Sequence, residues 1–470
     1  MTSTFFFYDL ETFGLNPKED RIAQFAGIRT DSDFNIIGDP INIYCQPPED
    51  YIPDPESILI TGITPEEARE KGLPEAQFAA HIHEEFSQPN TCILGYNSIR
   101  FDEEMIRYLF YRNFIDPYAY SWQNGNSRWD LLDVVRATHA FRPEGIEWPI
   151  DDAGVVSLKL ENLSKANRLE HEKAHDALSD VYATIGMAKL IKTQQPRLFD
   201  YYFNHRRARD LNNLLDLQNL TPLLHVSGMF GQARNNLSMI MPAIFNPHNK
   251  NELITIDLMG DISGLLSLDA AAIKTKMYTP TAELAEGEAR IPIKGIHLNK
   301  CPILATTKLL KTMTEHTIDE KLCQENYQML LAEKELVLSK LFEIYHTPRN
   351  FENDAHSEPV ESLLYQGFFE RSDRQQMDLI PKMNGEELLH YDFYFHDPRA
   401  LPLLFIYRAR NFFETLFEDE KEDWKRYILM KREYFKNKYQ SKYHSLLAQA
   451  KENHLLDQLQ LLESIEIHYQ

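Results

Sequence analysis

Apolar and polar residues alternate with two different periods along the chain. Thr4 to Leu10 is an aromatic-rich run that reads as a buried strand, and Arg21 to Arg29 and Asn35 to Tyr44 read as further strands. Thr91 to Leu94 reads as a short one. Between them, Thr64 to Arg69 and Glu75 to Phe86 have helical spacing, and Asp102 to Arg112 carries Met105, Ile106, Leu109 and Phe110 on one helical face. Asp130 to Phe141 is a further expected helix. Another runs from about Asp176 to Ile191, with Leu178, Val181, Ile185 and Ala188 in line. Strands mixed with helices predict an α/β domain that ends near Gln195 and Pro196.

The pattern then changes. His225 to Asn299 holds short apolar runs broken by Gly228, Gly231, Pro242, Pro247, Gly260 and Gly295, which predicts a small β-rich domain. Lys308 to Ile344 is helical again, His346 to Pro359 reads as a linker, and Val360 to Gln470 is helical and highly charged. Phe412, Phe413 and Phe417 read as core, and Glu418 to Lys425 as a solvated helix face. A chain of 470 residues is too long for one compact core and suggests about three domains.

Charge changes the picture. The formal net charge of -22 opposes non-specific attraction to nucleic acid, so any contact with a polyanion must rest on local basic surfaces and metal ions. Cys45, Cys92, Cys301 and Cys323 are far apart with no C-x-x-C pair, which argues against a disulfide framework or a thiolate zinc site and fits a reducing cytoplasm. Met1 to Phe7 lacks a basic leader, and no apolar stretch has transmembrane length.

Three groups of residues carry candidate chemistry. Asp9 and Glu11 are two apart in a strand, so both point to one face, where they can hold a hard divalent cation. Alone, such a pair is also an ordinary solvated strand end, but this one closes an apolar strand, where unpaired carboxylates are costly to bury. Asp102 follows Asn97 and Phe101, and by itself reads first as a helix cap or first-turn acid. His175, Ala177 and Asp180 sit around the start of a helix, where the small Ala177 permits close approach to a strand.

In chain order these read D-x-E, N-x-x-x-F-D and H-x-A-x-x-D. The set resembles the DEDDh exonuclease superfamily. Longer strings are similar to the bacterial exodeoxyribonuclease I family: Asp9-Leu10-Glu11-Thr12-Phe13-Gly14, Leu59-Ile60-Thr61-Gly62-Ile63-Thr64, Ser127-Arg128-Trp129-Asp130-Leu131-Leu132-Asp133 and Lys173-Ala174-His175-Asp176-Ala177. His225 to Gly231, His297 to Pro302 and Tyr407 to Phe412 extend the likeness over nearly the whole chain, most weakly between Lys311 and Leu363.

The resemblance implies an RNase H-like nuclease domain with a mixed sheet over residues 1–195. It further implies an SH3-like β-rich domain over 196–348 and a helical C-terminal domain over 352–470, together encircling single-stranded DNA. It implies processive 3′–5′ release of 5′-mononucleotides in DNA repair and recombination, with two Mg²⁺ ions for which Mn²⁺ can substitute. Asp9 would bridge the ions, Glu11 and Asp180 would complete the nucleophile-side ion, Asp102 would serve the leaving-side ion, and His175 would take a proton from the attacking water. Candidates for DNA contact are Arg107, Tyr118, Trp122, Arg128, Arg136, Lys159, Lys294 and Lys300, any of which is also an ordinary surface residue. The family docks the acidic C-terminal tail of single-stranded DNA-binding protein, with Arg142 and Tyr201 as contributors here. A cytoplasmic monomer is expected.

Three other readings compete. His171-Glu172-Lys173-Ala174-His175 spells H-E-x-x-H, a zinc peptidase signature, but the extended form needs Gly and His where Leu178 and Val181 stand, and no Glu follows Glu172 before Glu252. A DEDDh ribonuclease is poorly separated by sequence, because discrimination rests on how the 2′ position is packed, but the extra middle and C-terminal domains favour the longer DNA-tracking enzyme. A non-catalytic scaffold would be expected to have lost an acid or the histidine, and none is missing.

Overall fold

The structure is a computed structural model that describes residues 3–169, 176–280, 283–284, 290–346 and 358–469. The chain divides into two compact units, one formed by residues 1–127, 170–185 and 354–470, the other by residues 128–169 and 186–353.

The first unit is built on a mixed sheet. β1 (Thr4–Thr12) pairs antiparallel with β2 (Ile22–Thr30), which pairs antiparallel with β3 (Ile41–Tyr44); β4 (Thr91–Gly95) runs parallel to β1 on its other side. The two-residue period of β1 divides its aromatics. Phe6, Tyr8 and Leu10 join Phe25, Phe78, Phe86, Ile93, Met105 and Phe110 in one buried cluster. Phe5 and Phe7 lie on the opposite face, edge-on to Phe34 at 5.0 and 5.5 Å. Burial of each such ring stabilises by about 1.5–3 kcal/mol, so register is firmly set. Asp9 and Glu11 continue the Phe5–Phe7 face.

Helices α1 (Pro55–Thr61), α2 (Pro65–Lys71) and α3 (Glu75–Phe86) lie between β3 and β4, the first two capped by Asp54 and Thr64. After β4 comes α4 (Asp102–Arg112), with three acids in its first turn. Gly95 is required where β4 meets this bend. A Cβ there would lie 2.7 Å from the Tyr8 carbonyl oxygen and 2.8 Å from Ser98 Cβ.

The C-terminal part of this unit ends in a 35-residue helix, Glu418–Glu452, and a shorter one, Leu456–Ser464. Phe435, Tyr439, Tyr443, Leu462 and Tyr469 bury Phe13, Tyr51, Ile52 and Ile58 of the N-terminal part. A buried ionic cluster joins the same two stretches. Arg21 pairs with Glu361 at 3.1 Å, Arg112 with Glu75 at 3.2 Å, and Arg410 with Asp50 at 2.7 Å and Glu361 at 2.6 Å.

The second unit begins within β5 (Ser127–Asp130) and continues through α5 (Leu131–Phe141), capped by Asp130, and α6 (Leu160–Ala166). α7 (Ala177–Gln194) follows, its early residues belonging to the first unit. A five-stranded antiparallel sheet forms the rest of the second unit's core. Its order is β10 (Ile303–Thr306), β6 (Leu223–Val226), β7 (Leu237–Asn246), β8 (Asn249–Asp257) and β9 (Ile293–His297).

Three expectations are corrected. Asn35 to Tyr44 is not one strand, because Gly38 adopts φ +79° and Pro40 follows, so the ladder begins only at Ile41 while Ile36 makes a lone bridge to Thr30. The β-rich stretch contains two helices, Ser263–Ser267 and Ala270–Tyr278, the second capped by Asp269. Phe417 is 61% exposed rather than core. All four cysteines are buried and none forms a disulfide, and among the described residues no helix is long and apolar enough to cross a membrane.

Candidate active site

The strand period brings Asp9 and Glu11 to one face at the end of β1, where a register shift between Glu11 and Thr12 ends regular pairing. α7 supplies Asp180 from its first turn, and the fully buried Ala177 lets that turn pack closely. Carboxylate oxygens of Asp9, Glu11 and Asp180 all lie within 4.8 Å of one another. Asp102, 6% exposed, opens α4. It is not in that group of three, but its charge reaches Asp9.

Burial pushes the Asp9 carboxyl well above its ordinary range, helped by the charges of Asp102, Asp180, Glu11 and Asp176. Burial likewise pushes Glu11 up to about 8, with Asp180 and then Asp176 adding to it. These neighbours are all carboxylates. Such a gathering of hard oxygen donors, held close at the cost of mutual repulsion, fits divalent cations that would neutralise it.

Asp176 is the participant that motif reading passed over. It lies beside His175, and its charge acts on both Asp9 and Glu11. Its place in the H-D-A string was the available signal. His175 itself lies outside the described residues, as does the whole His171–His175 string.

The candidates for DNA contact have varied settings. Arg107 is buried and donates to Glu103 at 2.7 Å and Glu104 at 3.1 Å, with its guanidinium 5.3 Å from the Tyr118 ring. Tyr118 also meets Phe368 edge-on at 5.7 Å. Trp122 is 65% exposed. In the second unit Arg128 donates to the Asn299 carbonyl, Arg136 pairs with Asp133 at 2.6 Å, and Lys159 and Lys300 are exposed. Lys294 donates to Ser227 Oγ at 3.1 Å and sits 5.1 Å from the Phe230 ring. Arg142 donates to Thr312 Oγ1, and the Tyr201 hydroxyl donates to the Leu304 carbonyl at 3.3 Å.

A mixed α/β sheet whose central strand presents two carboxylates to a third on a following helix defines an RNase H-like, metal-dependent nuclease domain. Comparison with known proteins agrees. Family models match in three consecutive stretches: Exonuclease at residues 6–188, Exonuclease I SH3-like domain at 206–347 and Exonuclease I C-terminal domain at 358–470. Exodeoxyribonuclease I of Haemophilus influenzae is 52% identical over 427 residues, covering 90% of this chain and 89% of that protein. The crystal structure of E. coli Exonuclease I in complex with a dA16 oligonucleotide superposes with a TM-score of 0.93 at 46% identity, covering 99% of both chains. A crystal structure of SSB/Exonuclease I in complex with the inhibitor CFAM superposes with a TM-score of 0.89 at 45% identity, covering 100% of this chain and 99% of that one. The chain belongs to the exodeoxyribonuclease I family. It is accordingly a DNA-degrading hydrolase of a family that works with divalent metal.

Proposed function

We propose that this protein removes 5′-mononucleotides processively from the 3′ end of single-stranded DNA, using two Mg²⁺ ions for which Mn²⁺ can substitute. The observation that carries this reading is the gathering of Asp9, Glu11 and Asp180 within 4.8 Å at the end of the central strand. Asp9, Glu11 and Asp180 would hold one ion, and Asp9 with Asp102 the other. When bound, the ions supply activation of the attacking water and stabilisation of charge on the leaving oxygen. The chain's own residues do the rest. β1 fixes the direction of Asp9 and Glu11, α4 presents Asp102, and α7 presents Asp180. His175 would accept the proton of the attacking water, histidine being the side chain best suited to proton transfer near neutral pH.

The oligonucleotide held by the E. coli relative supports single-stranded DNA as substrate. Tyr118 and Trp122 in the first unit offer aromatic faces to bases, with Arg107 behind Tyr118. In the second unit Arg128, Arg136, Lys159, Lys294 and Lys300 offer charge to phosphates. The SSB/Exonuclease I structure supports docking of the acidic tail of single-stranded DNA-binding protein, for which Arg142 and Tyr201 are our candidates. We divide the work among residues 1–195 for cleavage and residues 196–348 and 352–470 for holding the strand. We assign the protein, as a monomer, to DNA repair and recombination in the cytoplasm.

The test is a gel assay on 5′-labelled single-stranded DNA with Mg²⁺, comparing wild type with Asp9→Ala. Stepwise shortening by wild type alone is expected. Intact DNA with wild type in both Mg²⁺ and Mn²⁺ would overturn the proposal, and shortening of RNA at an equal rate would overturn the substrate.

A further inference from the structure

Gln24 lies beside the carboxylate cluster without being part of it. It stands opposite Glu11 in the β1–β2 register and is 1% exposed. Its side-chain nitrogen donates to Asn42 Oδ1 at 2.8 Å and to Asp176 Oδ1 at 3.3 Å. A primary amide has two hydrogens, so both bonds form together.

Asp176 uses its other oxygen to accept from the Ser179 backbone N–H at 3.2 Å. That is the bond of a helix cap, three residues on. The Asp180 N–H in turn donates to the Asp176 carbonyl at 3.1 Å. Asn42 on β3, Gln24 on β2, Asp176, and the first turn of α7 thus form one hydrogen-bonded chain. Asp176 thus ties the first turn of α7 to the sheet in addition to placing its charge near Asp9 and Glu11.

The first turn of a helix is where fraying concentrates, and here it carries Asp180 toward two other carboxylates. Like charges drive that turn outward. Something must hold it in before any cation arrives.

We propose that Gln24 and Asp176 are positioning residues that clamp the first turn of α7 to the sheet, so that Asp180 stays beside Asp9 and Glu11 and the site is ready for divalent ions. This inference rests on the two-ion reading of the cluster.

The test uses the full chain in two variants. Gln24→Leu removes both donors at similar volume. Asp176→Asn keeps a capping oxygen but cannot serve Ser179 and Gln24 as two separate acceptors. Mn²⁺ binding is followed without DNA by the loss of the free-ion paramagnetic resonance signal, and turnover is measured on an oligo(dT) substrate. Each variant is expected to raise the half-saturating Mn²⁺ concentration and lower kcat at fixed metal by about tenfold or more. KM for DNA should stay within about twofold. The double variant should lose no more than the worse single one, because both break one linkage.

Wild-type Mn²⁺ binding and turnover in Asp176→Asn would overturn the clamp, as would a loss confined to KM. If Gln24→Leu melts early, Gln24→Met takes its place, because Asp176→Asn also removes a charge that acts on Asp9 and Glu11. If wild type itself leaves DNA intact, the two-ion nuclease reading falls, while Mn²⁺ titration of the variants still tests the clamp separately.

Discussion

At the scale of single residues, the site is defined by charge held at close quarters. Glu11, at about 8, binds its proton far more tightly in the folded protein than the ordinary value of 4.5 allows when unfolded. A raised carboxylate contributes stability that is present at low pH and is lost as pH rises through the folded value. Metal-free protein should therefore lose stability between about pH 4.5 and 8. Melting curves in EDTA check this, and Glu11→Gln should flatten the decline. Added Mg²⁺ should raise the melting temperature more at pH 8 than at pH 6, since protons and cations compete for the same oxygens. Asp9→Ala should lower kcat by about a thousandfold or more while the fold persists, because several kcal/mol of charge stabilisation disappear at about 1.4 kcal/mol per tenfold. Steady-state rates and a melting curve on one preparation test both halves.

At the scale of elements, the site is the meeting of a strand end and two helix starts. Gly95 lets β4 close against Tyr8, next to Asp9. Gly95→Ala should cost about 1–3 kcal/mol, because the new methyl meets a backbone oxygen that cannot turn aside. Urea unfolding measures the cost. Much at this scale was legible from residue order. The aromatic run of β1, the apolar stripe of α4 and the strand period that aligns Asp9 with Glu11 are local patterns, and local patterns survive in sequence. What could not be read depends on register. Gln24 meets Asp176 only because β2 pairs with β1 in one alignment, across 152 positions of chain. The break before Ile41 was readable from Gly38 and Pro40 but was outweighed by the flanking isoleucines. The helix Ala270–Tyr278 hid among turn residues because it is short and only weakly amphipathic.

At the scale of the whole molecule, the net charge of -22 repels a polyanion at long range, so DNA must be drawn in by local cations. Binding should weaken steeply with added salt, and each lysine lost from the set Lys159, Lys294 and Lys300 that truly touches phosphate should reduce the log–log salt slope by about one. Fluorescence anisotropy on oligo(dT) in EDTA reads that slope. Within the first unit, Arg410→Met should cost about 3–5 kcal/mol, since Asp50 would be left buried without its guanidinium and Glu361 would keep Arg21 as its nearest cation. The three-part make-up of that unit has a consequence for how the protein is born. Asp9, Glu11, Asp102 and Asp180 have all left the ribosome long before the Glu418–Glu452 helix that covers Phe13 and Tyr51 is translated. A stalled or prematurely terminated nascent chain would carry every acid of the site yet display an uncovered apolar face to chaperones and proteases.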